Sequence, residues 1–317
     1  MKHNLKINLI IILMFFITQL IGLFVIHSYT PIVKEVNING TIQNVTINPI
    51  PYGMQPPSGA KAEVSLITII SAFVIAILII LFLTQVKAAL ILRLWFFFVV
   101  TIVLAISFNA ILMNFTEYSS SISIIIAIIL SIFKIFKRDI IIHNLTELFI
   151  YPGIAVVFVS MLNLWSIILF LILISIYDIW AVWHSGIMQK MAKYQINEMK
   201  VFAGFFIPYV NKKHRAMLKD IQKVKSSRLK KAKLKKIKVG LAILGGGDVV
   251  FPIIAAGIIF RSLGLSYALI VSTCATISLM LLLFFSKKGK FYPAMPFLTA
   301  GIITGIIISY FCYYFFV

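Results

Sequence analysis

The chain has 317 residues, 61% of them hydrophobic, with a mean hydropathy of +1.05 and a formal net charge of +20. That apolar content excludes a water-soluble domain, and repeated apolar runs of about 20 residues, the length of a helix across a bilayer, indicate a polytopic membrane protein. The charge does not indicate nucleic acid, because 16 of the 29 basic residues lie in one stretch, Lys190 to Lys238, and the rest flank apolar runs.

Nine spans are predicted in chain order, at residues 7–27, 64–85, 91–113, 120–136, 145–161, 164–186, 239–260, 265–285 and 294–315. The fold class is therefore all-α and polytopic. The first run is like a signal peptide, but its apolar part reaches about 19 residues with no A-x-A-like site after it, so it reads as a retained span. The fourth and fifth spans are short, with Glu147 at the edge of the fifth. Three regions follow from this pattern: a six-span part at 1–190 with Asp178, a basic loop at 191–237, and a three-span part at 238–317 with Asp248.

Charge sets the expected orientation. With the N-terminus in the cytoplasm and nine spans, 26 basic residues fall in inner loops and only Lys34, Lys61 and Arg261 in outer ones. That asymmetry places the C-terminus outside and the basic loop inside the cell membrane. The outer loop 28–62 carries two glycosylation acceptor patterns, Asn39-Gly40-Thr41 and Asn44-Val45-Thr46. In the inner loop, residues 201–210 (VFAGFFIPYV) are too short to span. They read as an interfacial cover over a site or as a helix packed on the bundle floor. Residues 211–238 read as a basic helix on anionic lipid or as a solvated loop.

Cys274 and Cys312 lie in late apolar runs without metal spacing, and the five histidines form no HExxH pattern, so neither a metal nor a cofactor is expected. The chemistry instead rests on two acids in spans that are otherwise almost free of charge. Asp178 and Asp248 stand twelve and ten residues from Lys190 and Lys238. At about 1.5 Å per helical residue, both lie roughly 15–18 Å from the same face. A carboxylate in hydrocarbon is costly and is seldom left without a task. Two that meet share a proton and titrate as a pair. The ionised member can activate water while the protonated member donates to a peptide carbonyl.

The neighbouring residues sharpen this. Gly245, Gly246 and Gly247 precede Asp248 and allow another backbone to approach. Tyr177 precedes Asp178, where its hydroxyl either joins the site or packs. Pro293, Ala294, Met295 and Pro296 open the last span, and prolines there free backbone groups. The segment reads either as a turn into the helix or as an edge that pairs with an unwound substrate.

These elements, in this order, resemble the YD, GxGD and PAL motifs of the presenilin and signal peptide peptidase family of intramembrane aspartyl proteases, with Met295 in place of leucine. The compact chain looks like the archaeal members. The resemblance implies catalytic roles for Asp178 and Asp248 and a substrate-shaping role for Pro293, Ala294 and Met295. It also implies single-pass transmembrane substrates in the lipid bilayer and no need for accessory subunits. Orientation and Pro296 favour the presenilin side. Prepilin peptidases, also GxGD proteins, fit less well, because Val249 and Val250 follow Asp248 and a PAL element is foreign to them.

The alternative function is a channel, transporter or substrate-holding protein built on the same acid pair. Its polar path would have to use Tyr177, Ser175, Thr299 and Thr304. Gly301 and Gly305 form a GxxxG pattern that joins two helices within one chain or across a dimer.

Overall fold

The computed structural model describes residues 5–38, 41–47, 50–52, 62–85, 89–137, 139–185, 203–210, 239–286 and 292–316. Nine helices lie among them: α1 (Leu5–Ser28), α2 (Ala62–Gln85), α3 (Ala89–Leu112), α4 (Ser119–Ile132), α5 (Ile140–Met161), α6 (Leu164–Trp180), α7 (Gly246–Leu263), α8 (Leu265–Phe285) and α9 (Met295–Phe316). Eight are long and apolar enough to cross a membrane, α4 when counted with the turn that continues it to Lys137. The other, α2, is 24 residues long with Glu63 as its only charge. The polytopic helical class stands. The Lys-rich segment 211–238 lies outside the described residues.

Most of these helices are apolar on every face, so amphipathicity cannot choose which side turns inward. Small residues and buried polar groups make that choice. On α1, Ile7, Ile11 and Phe15 are buried while Leu9, Leu13 and Phe24 face outward. Gln19 on the buried face donates to the Val249 carbonyl of α7 at 3.2 Å. Gly153 brings α5 against α3, where an added Cβ would collide with the Val103 carbonyl. Gly257 on α7 leaves room for Ile26 of α1 and Val159 of α5. Helix α7 thus sits amid α1, α5, α6, α8 and α9 and is the most enclosed span, with 61% of its window buried.

Gly301 and Gly305 resolve toward packing within one chain. Both press α9 onto α8, where a Cβ on Gly305 would come 2.8 Å from Val271 Cα.

Two antiparallel strand pairs accompany the helices. The pair β1 (Ile32–Ile38) and β2 (Thr41–Ile47) has the register Ile38↔Thr41. Asn39-Gly40 between them is a strong hairpin signal that the acceptor-site reading passed over. The pair β3 (Gly204–Val210) and β4 (Val239–Gly245) joins Gly204 to Gly245 and Val210 to Val239.

This second pair corrects two expectations. Residues 204–210 form a strand rather than a helix on the bundle floor. The seventh span begins at Gly246 rather than 239, because 239–245 is β4. The regular α-helix of the sixth span ends at Trp180, with a π-helical turn at Ala181–Ser185. The depth arithmetic, which assumed continuous helix from Asp248 to Lys238, therefore does not hold. The fifth span begins at Ile140, which puts Glu147 inside it at 1% exposure rather than at its edge. Its partner Lys134, counted as a loop charge, is also buried, in the π-helical turn Phe133–Lys137 after α4.

The α8–α9 contact has no space for a methyl group. Gly305→Ala is expected to destabilise the bundle by about 1–3 kcal/mol, the usual range for overpacking. Thermal unfolding in detergent would read this as a lowered midpoint, and an unchanged midpoint would contradict the packing described.

Candidate active site

Asp178 is the fifteenth residue of α6 and is 6% exposed. It faces the start of α9. There the Met295 N–H donates to Asp178 Oδ2 at 3.0 Å, and the Ala294 N–H is also directed at the carboxylate. The first turn of any helix has N–H groups without an internal partner, and a carboxylate is a natural acceptor for them. One turn away, Ser175 Oγ and Thr299 Oγ1 are 2.8 Å apart, while Ser175 also donates to the Leu171 carbonyl at 2.7 Å. These two rungs fasten α6 to α9 in antiparallel fashion. Ser175 and Thr299 are thus engaged with each other rather than lining a path. Thr304 is exposed and bonds the Ala300 carbonyl of its own helix at 2.8 Å.

Asp248 stands in the first turn of α7, three residues after the extended Gly245 that caps the helix. It is half-buried, and the Gly245 N–H is directed at its carboxylate. The carboxylate lies close enough to Asp178 for the two charges to interact. Each acid therefore sits at a helix N-terminus, one at its own and one at a neighbour's.

The three glycines differ in what they admit. A Cβ on Gly245 would come 3.1 Å from Asp248 Oδ2, and one on Gly246 would come 3.0 Å from the Tyr151 ring. A Cβ on Gly247 would meet only the Phe251 ring, at an ordinary 3.5 Å. A side chain at Gly245 or Gly246 would therefore press on Asp248 or Tyr151. Gly247 is exposed and faces a cavity.

That cavity, about 530 Å³, lies between α2, α5, α6 and α7. Its walls are apolar and include Val74, Phe158, Leu173, Tyr177 and Val250, with Gly246 and Gly247 at the turn that carries Asp248. Tyr177 is half exposed, with its ring 6.3 Å from that of Trp180. It is a wall residue of this cavity.

At the other end of the first helical turn, the sequence PAMP does two things. Pro293 and Met295 are buried, and Ala294 is partly so. Met295 contributes its backbone N–H to Asp178, which a leucine would do equally. Pro296 occupies the second helical position, where a missing N–H forfeits no helix hydrogen bond.

A polar group on α5 was not read from the sequence. Lys134 Nζ lies 2.7 Å from Glu147 Oε1 and 3.1 Å from His143 Nδ1. The facing His143 Nε2 donates to the Gly204 carbonyl at 2.8 Å, which assigns the neutral tautomer with Nδ1 accepting from lysine. Asn144 grips Phe206 twice: its Nδ2 donates to the carbonyl at 2.7 Å, and its Oδ1 accepts from the N–H at 2.9 Å. The signal was present as four polar residues, His143, Asn144, Thr146 and Glu147, at the start of an apolar span. Among the described residues, no cluster of His, Cys, Asp or Glu has the makeup of a metal site.

Comparison with known proteins agrees with this architecture. The pattern of the family described as signal-peptide peptidase, presenilin aspartyl protease matches residues 9–314. No curated protein matches the chain. Among solved structures, a presenilin family intramembrane aspartate protease in a C222 crystal form aligns at TM-score 0.59 and 16% identity, over 96% of this chain and 98% of that one. A structure of the same description in a P2 form aligns at TM-score 0.59 and 16% identity, over 95% of this chain and 96% of that one. The family pattern runs from the first span to the last, through both acid-bearing helices. The chain therefore belongs to the signal-peptide peptidase and presenilin family of aspartyl proteases, hydrolases that work within the membrane.

Proposed function

We propose that Asp178 and Asp248 are the catalytic dyad that hydrolyses peptide bonds in the transmembrane segments of single-pass proteins. The observation that carries this reading is the adjacency of two span-borne carboxylates, each addressed by backbone N–H groups at a helix start. One carboxylate takes a proton from water as the oxygen attacks the scissile carbonyl carbon. The other, protonated, donates to the carbonyl oxygen. The tetrahedral diol collapses as the peptide nitrogen receives a proton and leaves as an amine. The apolar cavity beside the catalytic turn suits an apolar segment. By the charge distribution, the N-terminus and the basic loop face the cytoplasm and the C-terminus faces outward.

A helical substrate hides its backbone, so it must unwind to be cut. An unwound strand in hydrocarbon needs hydrogen-bond partners. The strand pair supports one place for it. Asn144 takes both backbone groups of Phe206, so Phe206 points away from β4. By alternation Gly204 and Pro208 do the same, and so do their partners Gly245 and Leu241 and the Phe206 partner Ile243. The outer edge of β3 is occupied by α5 and interrupted by Pro208. The outer edge of β4 has no strand partner among the described residues, and it leads through Gly245 to Asp248. The substrate strand is assigned to the β4 edge, running past the dyad.

Two measurements check this reading. With the purified chain in liposomes and a panel of single-pass reporters, Asp178→Ala and Asp248→Ala are each expected to lower cleavage by roughly 10²–10⁴-fold, the range for lost acid–base catalysis. Undiminished cleavage by Asp248→Ala would refute the dyad. Ile243→Pro removes an edge N–H without breaking a bond to β3. It is expected to lower kcat/KM by about ten-fold, one hydrogen bond's worth, with unchanged thermal stability. Parent-like kinetics would remove β4 as the docking edge.

A further inference from the structure

A buried polar line runs along α5 toward the two acids. Lys134, 7% exposed, stands in the π-helical turn after α4, next to the exposed Phe136 and Lys137. Its Nζ lies 2.7 Å from Glu147 Oε1, so Glu147 is an anion held by a cation inside a span. The other carboxylate oxygen, Oε2, is buried without a hydrogen bond, and so is the hydroxyl of Tyr151, one turn further along the helix. Glu147 and Tyr151 are each 1% exposed. The two groups are near enough to interact, and the Asp248 charge also reaches the hydroxyl. On its far side the hydroxyl lies 3.1 Å from where a Gly246 Cβ would stand, two residues before Asp248. Glycine at 246 leaves it open toward that turn, and Tyr151 lines the cavity there.

Buried hydroxyl and carboxylate oxygens nearly always have partners, because a lone one forfeits those it had in water. Apolar residues in place of a buried ion pair are often neutral or stabilising, so bundle stability does not explain Lys134 and Glu147. His143 has both ring nitrogens engaged, by Lys134 and the Gly204 carbonyl, and stands outside the line. A dyad in hydrocarbon must regain its shared proton after each turnover, and apolar walls supply none. Building on the proposed dyad, we propose that Lys134, Glu147 and Tyr151 form a proton relay to Asp248, with the Tyr151 hydroxyl as its last protein link and one water between it and the acid. Asp248 releases a proton to that water, the water passes one to Tyr151 Oη, and the Tyr151 hydroxyl proton moves to Glu147 Oε2. Each oxygen in between gains one O–H bond and loses one. Asp248 ends ionised, Glu147 ends neutral, and Lys134 keeps its charge. The reverse passage returns the proton to Asp248. Tyr151 acts on the reaction through Asp248 and is a positioning residue for that proton.

The test uses the full chain in liposomes with a single-pass reporter. Tyr151→Phe removes the hydroxyl alone. It is expected to lower kcat about ten-fold, one hydrogen bond's worth, with KM and thermal midpoint kept. Imidazole in the buffer, a small diffusible proton carrier, is expected to restore most of that loss and to leave the parent unchanged. Lys134→Met combined with Glu147→Gln removes the far end without leaving a buried charge unpaired. The same loss and the same rescue are expected. Adding Tyr151→Phe to that pair is expected to lower kcat no further, since a line broken once is already broken. Parent-like kcat in Tyr151→Phe would overturn the relay. A loss that imidazole does not restore would give Tyr151 a packing role and overturn it as well, and so would losses that multiply in the combined variant. Should the paired variant fail to fold, Tyr151→Phe alone decides. The dyad stands in all of these outcomes. Undiminished cleavage by Asp248→Ala would instead refute the dyad, and the relay with it.

Discussion

Unpaired backbone polar groups are not tolerated in hydrocarbon, and the arrangement of this site follows from that constraint. Regular helices satisfy it internally. A protease that must open a substrate backbone cannot be built of regular helices alone. Among the described residues near the two acids, helical order gives way at three places, and each has its partners nearby. Strand β3 is paired on one side by β4 and on the other by His143 and Asn144. The Gly245 N–H, at the end of β4, meets Asp248. The start of α9, with Pro293 before it and Pro296 in its first turn, gives the Met295 N–H to Asp178. The acids are thus acceptors in the backbone accounting as well as the proposed reactive groups.

The candidate site was legible in sequence because its residues are anomalies against an apolar background. Asp178 and Asp248 are charges where none is expected, and Gly245–Gly247 and Pro293–Pro296 are breaks where helix is expected. Strands β3 and β4 were not legible, for a physical reason. The segment VGLAILG has the same hydropathy as a helical span, and a short apolar run cannot be assigned to strand or helix by periodicity alone. What decides it is tertiary: GFFIPYV lies alongside, and Asn144 occupies that strand's far edge. Glu147 was read as a boundary residue because hydropathy trims a span at its first charge. Its partner Lys134 lies thirteen residues earlier across a turn, and only their meeting neutralises both.

The two acids depend on different parts of the structure. Asp248 is oriented locally, by the residue that caps its own helix. Asp178 is oriented by another helix, through Met295 and the Ser175–Thr299 rung. The two acids therefore lie on a seam. On one side are α5, β3, β4 and α7, joined by Asn144, His143 and Tyr151. On the other are α6 and α9, joined by two hydrogen-bonded rungs, while α8 packs against both α7 and α9. Close packing within each side makes each carboxylate's own position well defined. The separation between the carboxylates is then a property of how the two sides meet. The proposed β4 docking edge ends at that seam, so a substrate strand placed there would touch both sides and bear on the spacing of the two carboxylates.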